Sequence, residues 1–164
     1  MTQEQFIKNL TPPTKKVDVI LDTDAFNEID DQFAIAYMLS CPEKLNVLGL
    51  TAAPFFNENS SSPADGMDKS YYEIMKLLSL ARADGLGPRV FRGAQRYLPN
   101  ESTPVESDAA AFIAECARAH SPEDPLYVVA IGAITNVASA LLMNPAIADR
   151  MVIVFLGGHA LDWP

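Results

Sequence analysis

Little in this chain could staple it covalently or carry it through a membrane. Cysteine occurs twice, at Cys41 and Cys116, and forms no C-x-x-C pair. That excludes a disulfide framework and leaves free structural thiols in a reducing compartment. No apolar run approaches the roughly 18 residues that span a bilayer. Met1 to Lys16 lacks the apolar core of a secretory signal, so the chain reads as cytoplasmic. Basic residues are also scarce, 12 against 21 acidic, for a net charge of -9. Such a chain repels a nucleic-acid backbone, and no basic stripe with interleaved aromatics offsets the repulsion. The charge balance argues against polymeric nucleic acid as a partner.

What the chain does hold is core. Apolar residues are 49% and charged residues 20% of 164 positions, enough for one ordinary soluble domain. Residues 1–16 are polar, with Pro12-Pro13 and Lys15-Lys16, and read as a flexible N-terminal segment. From there, short β-branched runs alternate with amphipathic stretches. The pattern predicts strands at 17–21, 45–51, 89–92, 126–131 and 151–156. It predicts helices at 30–40, 67–84 and 107–119, and from 134 to Asn144-Pro145. Alternation of this kind implies βαβ units and an α/β fold: an open, mostly parallel, Rossmann-like sheet with helices on both faces. In such sheets ligands bind beyond the carboxyl ends of the strands.

One strand–loop–helix turn concentrates charge there. In ILDTDAFNEIDDQFAIAYML, Asp22 and Asp24 end the first strand, and Asp30 and Asp31 open the next helix. A helix N-terminus can account for Asp30 or Asp31 through capping and the dipole. It does not account for Asp22 and Asp24 facing them. Four converging carboxylates repel one another unless a cation neutralises them. Oxygen donors without Cys or His point to Ca²⁺ or Mg²⁺ rather than zinc.

This turn resembles the N-terminal aspartate motif of the inosine–uridine-type nucleoside hydrolases, with two extra residues near Asn27-Glu28. Three further stretches agree in order. FRGAQRYL at 91–98 is similar to the family's G-A-x-x-x-L segment. AIGAITNVASALLMNP at 130–145 is similar to its G-x-x-T-N strand-to-helix turn, and IVFLGGH at 153–159 to its strand ending in G-G. The resemblance covers residues 17–159 and implies that 17–164 is the N-terminal part of a nucleoside hydrolase domain, C-terminally truncated. It implies Ca²⁺ as cofactor, held by Asp24, Asp31 and the backbone carbonyl of Thr135. Asp30 would be the general base toward the attacking water, and Asn57 and Asp24 would contact the ribose. Leu156 falls where many members place a Met near the sugar; packing in the core would account for it equally. The partners implied are a small-molecule nucleoside and further copies of the chain in a homo-oligomer, with no membrane.

Calcium acidifies water less than zinc does, so a neighbouring carboxylate must complete the proton transfer. Cleaving an N-glycosidic bond builds oxocarbenium character, which nearby carboxylates stabilise. Two other readings compete. Asp22 and Asp24 also fit the D-x-D of a haloacid-dehalogenase-like phosphatase, with Asp22 as nucleophile, although Phe26 stands where that pattern has Thr or Val. Alternatively the chain is a non-catalytic metal-binding fragment. His159, after Gly157-Gly158, is expected at the pocket rim in a structural hydrogen bond. His120 is expected in solvent, and Thr135 or Asn136 could cap the helix that begins there.

Overall fold

The computed structural model describes residues 2–158. Five strands form one sheet: β1 Val17–Thr23, β2 Leu45–Ala52, β3 Val90–Phe91, β4 Leu126–Ala130 and β5 Met151–Phe155. Every adjacent pair is parallel, and the order across the sheet is β3-β2-β1-β4-β5. The parallel sheet expected from the sequence is therefore present. Chain order reverses at β1, whose neighbours are β2 and β4. A crevice opens at such a switch point, where the connections leave in opposite directions.

Side-chain alternation along β1 divides the core in two. Ile20 packs with Val128 of β4 against Ala110, Ile113 and Ala114 of α4 (Asp108–Arg118) and Val137 of α5 (Thr135–Met143). Val19 and Leu21 pack with Leu50 of β2 on the opposite face. There they meet Ile35 of α2 (Ile29–Leu39) and Ile74 and Leu78 of α3 (Pro63–Leu80). Helices thus cover both faces, which is why β1 reads as an almost unbroken apolar run. Cover thins toward β5, where Ile153, Val154 and Phe155 are 36%, 49% and 46% exposed. An apolar groove of about 530 Å³ lies on that flank, lined by Leu21, Tyr37, Tyr127, Val129 and Val154 among others. None of the four aspartates of the first turn lines it.

The N-terminal segment departs from expectation. Gln3–Leu10 forms a helix, α1, started by Thr2, whose hydroxyl accepts from the Gln5 amide at 3.1 Å. Thr2-x-x-Gln5 is a capping-box pattern, a local signal that outweighs the polar composition. None of α1's residues is buried, and Lys8 Nζ reaches the carbonyl of Glu123. His120 also departs from expectation: its side chain is only 12% exposed. Its ring bridges the Cys116 carbonyl at 2.8 Å and Asp18 Oδ2 at 3.2 Å, at the amino end of β1. Both cysteines are free, and among the described residues no helix is long and apolar enough to cross a membrane.

Candidate functional site

The four aspartates of the first turn do not converge as a set. Alternation sends Asp22 toward the α5 face and Thr23 toward α2, and the chain then leaves the strand at Asp24. Asp22 is 0% exposed. Its Oδ1 accepts from Thr51 Oγ1 at 2.6 Å and Asn136 Nδ2 at 2.8 Å. Its Oδ2 has no hydrogen-bond partner among the described residues. Burial pushes its carboxyl up to about 6, against the opposing pull of those two bonds. A buried carboxyl braced in this way cannot reach a phosphate ester, so the phosphatase reading loses its nucleophile.

Asp24 and Asp31 do meet. Asp24 is 6% and Asp31 5% exposed. Burial first, and then the charge of Asp31, raise Asp24 to about 7. Burial also raises Asp31 to about 6, opposed by a hydrogen bond from Thr23 Oγ1 and reinforced by the charges of Asp30 and Glu28. Neither Asp30 nor Asp31 caps α2. The cap position is Glu28, which makes no side-chain cap bond, and both aspartates sit in the first turn. Their carboxylates gain from the helix dipole there while remaining available to a ligand.

These groups open into a cavity of about 420 Å³ at the switch point, walled by Asp24, Asn27, Asp30, Asp31, Gly132 and Leu156 among others. It is smaller and more polar than the groove beside β5, and its chemistry, not its size, marks it as the candidate site. Asp30 is exposed at its mouth. Gly132, in the β4–α5 turn, is pressed against the carboxylate: a Cβ there would lie 2.7 Å from Asp24 Oδ1. Leu156 is 67% exposed and lines the cavity, so it is not a core residue.

Thr135 and Asn57 are placed less directly. Thr135 begins α5 and is 4% exposed, but the turn before it, Ile131, Gly132 and Ala133, lines the cavity and Thr135 does not. Asn57 is half-buried and donates to Asn27 Oδ1 at 2.6 Å. Asn27 in turn donates to Asp24 Oδ2 at 3.0 Å. Asn27 is the site residue that sequence reading passed over as loop insertion. Its signal was local: the Asn27 amide closes a tight turn onto the Asp24 carbonyl at 2.7 Å. Tyr97 is a second omission; burial raises its hydroxyl, and the charge of Asp24 adds to the rise. Asn136 is no cap, since α5 starts from Ile134 without a side-chain bond. It instead donates to Asp22 and the Ala52 carbonyl and accepts from the Ala94 amide, tying three strand ends together. His159 lies outside the described residues.

Among the described residues no group of three or more His, Cys, Asp or Glu is placed to hold a metal. The Asp24–Asp31 pair still fits part of a hard-cation shell. Both are oxygen donors, both are buried, and each is held above its ordinary value by burial first and by neighbouring carboxylates second. With Asp22 turned away, the expected four-carboxylate cluster reduces to this buried pair with Asp30 exposed at the cavity mouth.

Comparison with known proteins agrees with this geometry. The family model described as inosine-uridine preferring nucleoside hydrolase matches residues 19–162. The chain is 30% identical to probable uridine nucleosidase 2 of Arabidopsis thaliana, over 85% of this chain and 47% of that protein. A purine-preferring ribonucleoside hydrolase from Gardnerella vaginalis superposes with a TM-score of 0.65 at 22% identity, covering 87% of this chain and 49% of that one. An inosine-guanosine nucleoside hydrolase superposes at 0.61 with 26% identity, covering 86% and 49%. The chain thus spans about half the length of these relatives. With the family model matching nearly all of it and the acidic pair at the expected strand end, the chain belongs to the inosine-uridine preferring nucleoside hydrolase family.

Proposed function

We propose that this protein serves calcium-dependent hydrolysis of the N-glycosidic bond of ribonucleosides, releasing free base and ribose. The observation that carries the reading is the buried Asp24–Asp31 pair facing a cavity at the switch point of the sheet. Asp24 and Asp31 would hold the ion, with the Thr135 carbonyl as the third donor that the family resemblance implies. Bound Ca²⁺ would supply a fixed charge that orients water and makes it more acidic. Asp30, in the first turn of α2 and open to the cavity, takes the proton from the attacking water. Asp24 and Asn57 face the ribose; Asn57 offers it the carboxamide N–H not engaged by Asn27. As the bond to the base lengthens, positive charge grows on the sugar, and these carboxylates stabilise it. The protein acts in the cytoplasm on small nucleosides, as a homo-oligomer.

Asp24, raised to about 7 with no cation beside it, must lose its proton before it can ligate Ca²⁺, so cation affinity should rise with pH through about 7. Two substitutions separate the assignments. Asp30→Asn should lower kcat at least about a hundredfold and leave Ca²⁺ affinity in calorimetry unchanged, since a general base contributes roughly 10²–10⁴. Asp24→Asn should lose both. Turnover that survives Asp30→Asn refutes Asp30 as the base. A protein that binds Ca²⁺ and cleaves no nucleoside is a metal-binding module only.

A further inference from the structure

We propose that Asn27 and Asn57 form a one-way carboxamide relay that positions Asp24, with Asn27 as the member that touches it. The inference rests on the reading of Asp24 as a cation ligand. It starts from hydrogen-bond direction. An ionised carboxylate only accepts, so Asn27 must turn its NH₂ toward Asp24 Oδ2, at 3.0 Å. Asn27 Oδ1 then faces Asn57, which must present its own NH₂, at 2.6 Å. That leaves Asn57 Oδ1 to accept from the Asn59 backbone amide at 2.9 Å, and a backbone N–H only donates. The series is therefore fixed from the Asn59 end, and it matches an ionised Asp24, the form that binds a cation. Flipping Asn27 would set its oxygen against Asp24 and its NH₂ against that of Asn57, and flipping Asn57 would set its oxygen against Asn27 Oδ1 and its NH₂ against the Asn59 backbone N–H.

The backbone holds the relay in place. The Asn27 amide bonds to the Asp24 carbonyl at 2.7 Å, and Asn59 Nδ2 donates to the Asn27 carbonyl at 3.3 Å. Two loops at neighbouring strand ends are thereby locked together at the rim of the cavity. The consequence falls on Asp24. Its Oδ2 is tethered by Asn27, and its Oδ1 is turned toward Gly132, where only the missing Cβ leaves room. A carboxylate held by one oxygen keeps the other pre-aimed for a ligand, which avoids the cost of ordering it on binding. Asn27 lines the cavity and takes no part in either apolar core, so the core does not explain its placement.

The relay is serial, and that makes it testable. The first probe is Ca²⁺ alone, titrated calorimetrically into the full chain. Asn27→Ala should weaken binding about tenfold or more, the usual cost of losing a group that orients a ligand. Asn57→Ala should weaken it less, and the double variant should lose no more than Asn27→Ala, because Asn57 acts only through Asn27. Additive losses would overturn the relay. The second measurement needs neither cation nor turnover. In side-chain amide NMR, Asp24→Ala should move the Asn57 NH₂ signals as well as those of Asn27. Movement at Asn27 alone, or at neither, would also overturn it. If the wild-type chain binds no Ca²⁺, the cation reading fails, and the amide signals still decide the relay.

Discussion

Asp31→Asn should stabilise the cation-free protein, and only above acidic pH. Asp31 is held at about 6 in the folded chain against an ordinary 3.8. A raised folded value means that the folded state binds its proton more tightly than the unfolded one. Stability from this group is therefore full below about pH 4 and lost as pH rises through about 6. At pH 8 the shift of about two pH units corresponds to about 3 kcal/mol, and solvent at the cavity mouth screens part of it, leaving about 1–3 kcal/mol. Asparagine keeps the shape and still accepts from Thr23 Oγ1 while removing the charge that presses on Asp24. Melting in a chelator should thus move up roughly 3–10 °C at pH 8 and not at pH 3.5. In millimolar Ca²⁺ the order should reverse, because ligation stabilises only the chain that binds. Circular-dichroism melts over that pH range, with and without Ca²⁺, measure all of this. An Asp31→Asn protein that melts lower than wild type at pH 8 in chelator would refute the electrostatic reasoning, since it would mean that the ionised Asp31 supports the fold.

Three other substitutions probe separate parts of the site. Gly132→Ala places a Cβ 2.7 Å from Asp24 Oδ1 and 3.1 Å from the Ala53 Cβ, so Ca²⁺ affinity should fall severalfold more than unfolding stability does, as calorimetry beside chemical denaturation can show. Asn136→Ala removes one of the two bonds to Asp22 and takes a partner from the Ala52 carbonyl and the Ala94 amide, all buried, and should cost about 3 kcal/mol in urea unfolding. Without cation, wild-type melting should decline steadily from pH 4 to pH 7, because Asp22, Asp24 and Asp31 are all raised. A flat profile would mean that those carboxyls are not desolvated.

The parallel sheet was legible because β1, β2 and β4 are buried on both faces, which writes continuous apolar runs between amphipathic helices. The acidic turn was legible because Asp24 and Asp31 lie seven residues apart in one strand–loop–helix unit. Where each carboxylate points was not. Period-two reasoning puts Asp22 and Asp24 on the same face, but the strand ends at Thr23 and Asp24 turns away. The relay was hidden for a different reason: Asn57 meets Asn27 across 30 residues of chain, and only the pairing of β1 with β2 brings their loops together. His120 likewise looked solvent-bound at a helix end, yet its partner Asp18 is 102 residues away. The helix α1 was misread from composition although Thr2 and Gln5 carried its start signal.

The claim at the centre of this account is that the Asp24–Asp31 cavity hydrolyses nucleosides. Its most direct test is chromatography of uridine and inosine incubated with the protein in phosphate-free buffer containing millimolar Ca²⁺. The account predicts free base and free ribose in equal amounts, abolished by chelator and by Asp24→Asn. Intact nucleoside beside hydrolysed phosphate esters, or base release that requires added phosphate and yields a sugar phosphate, would contradict it.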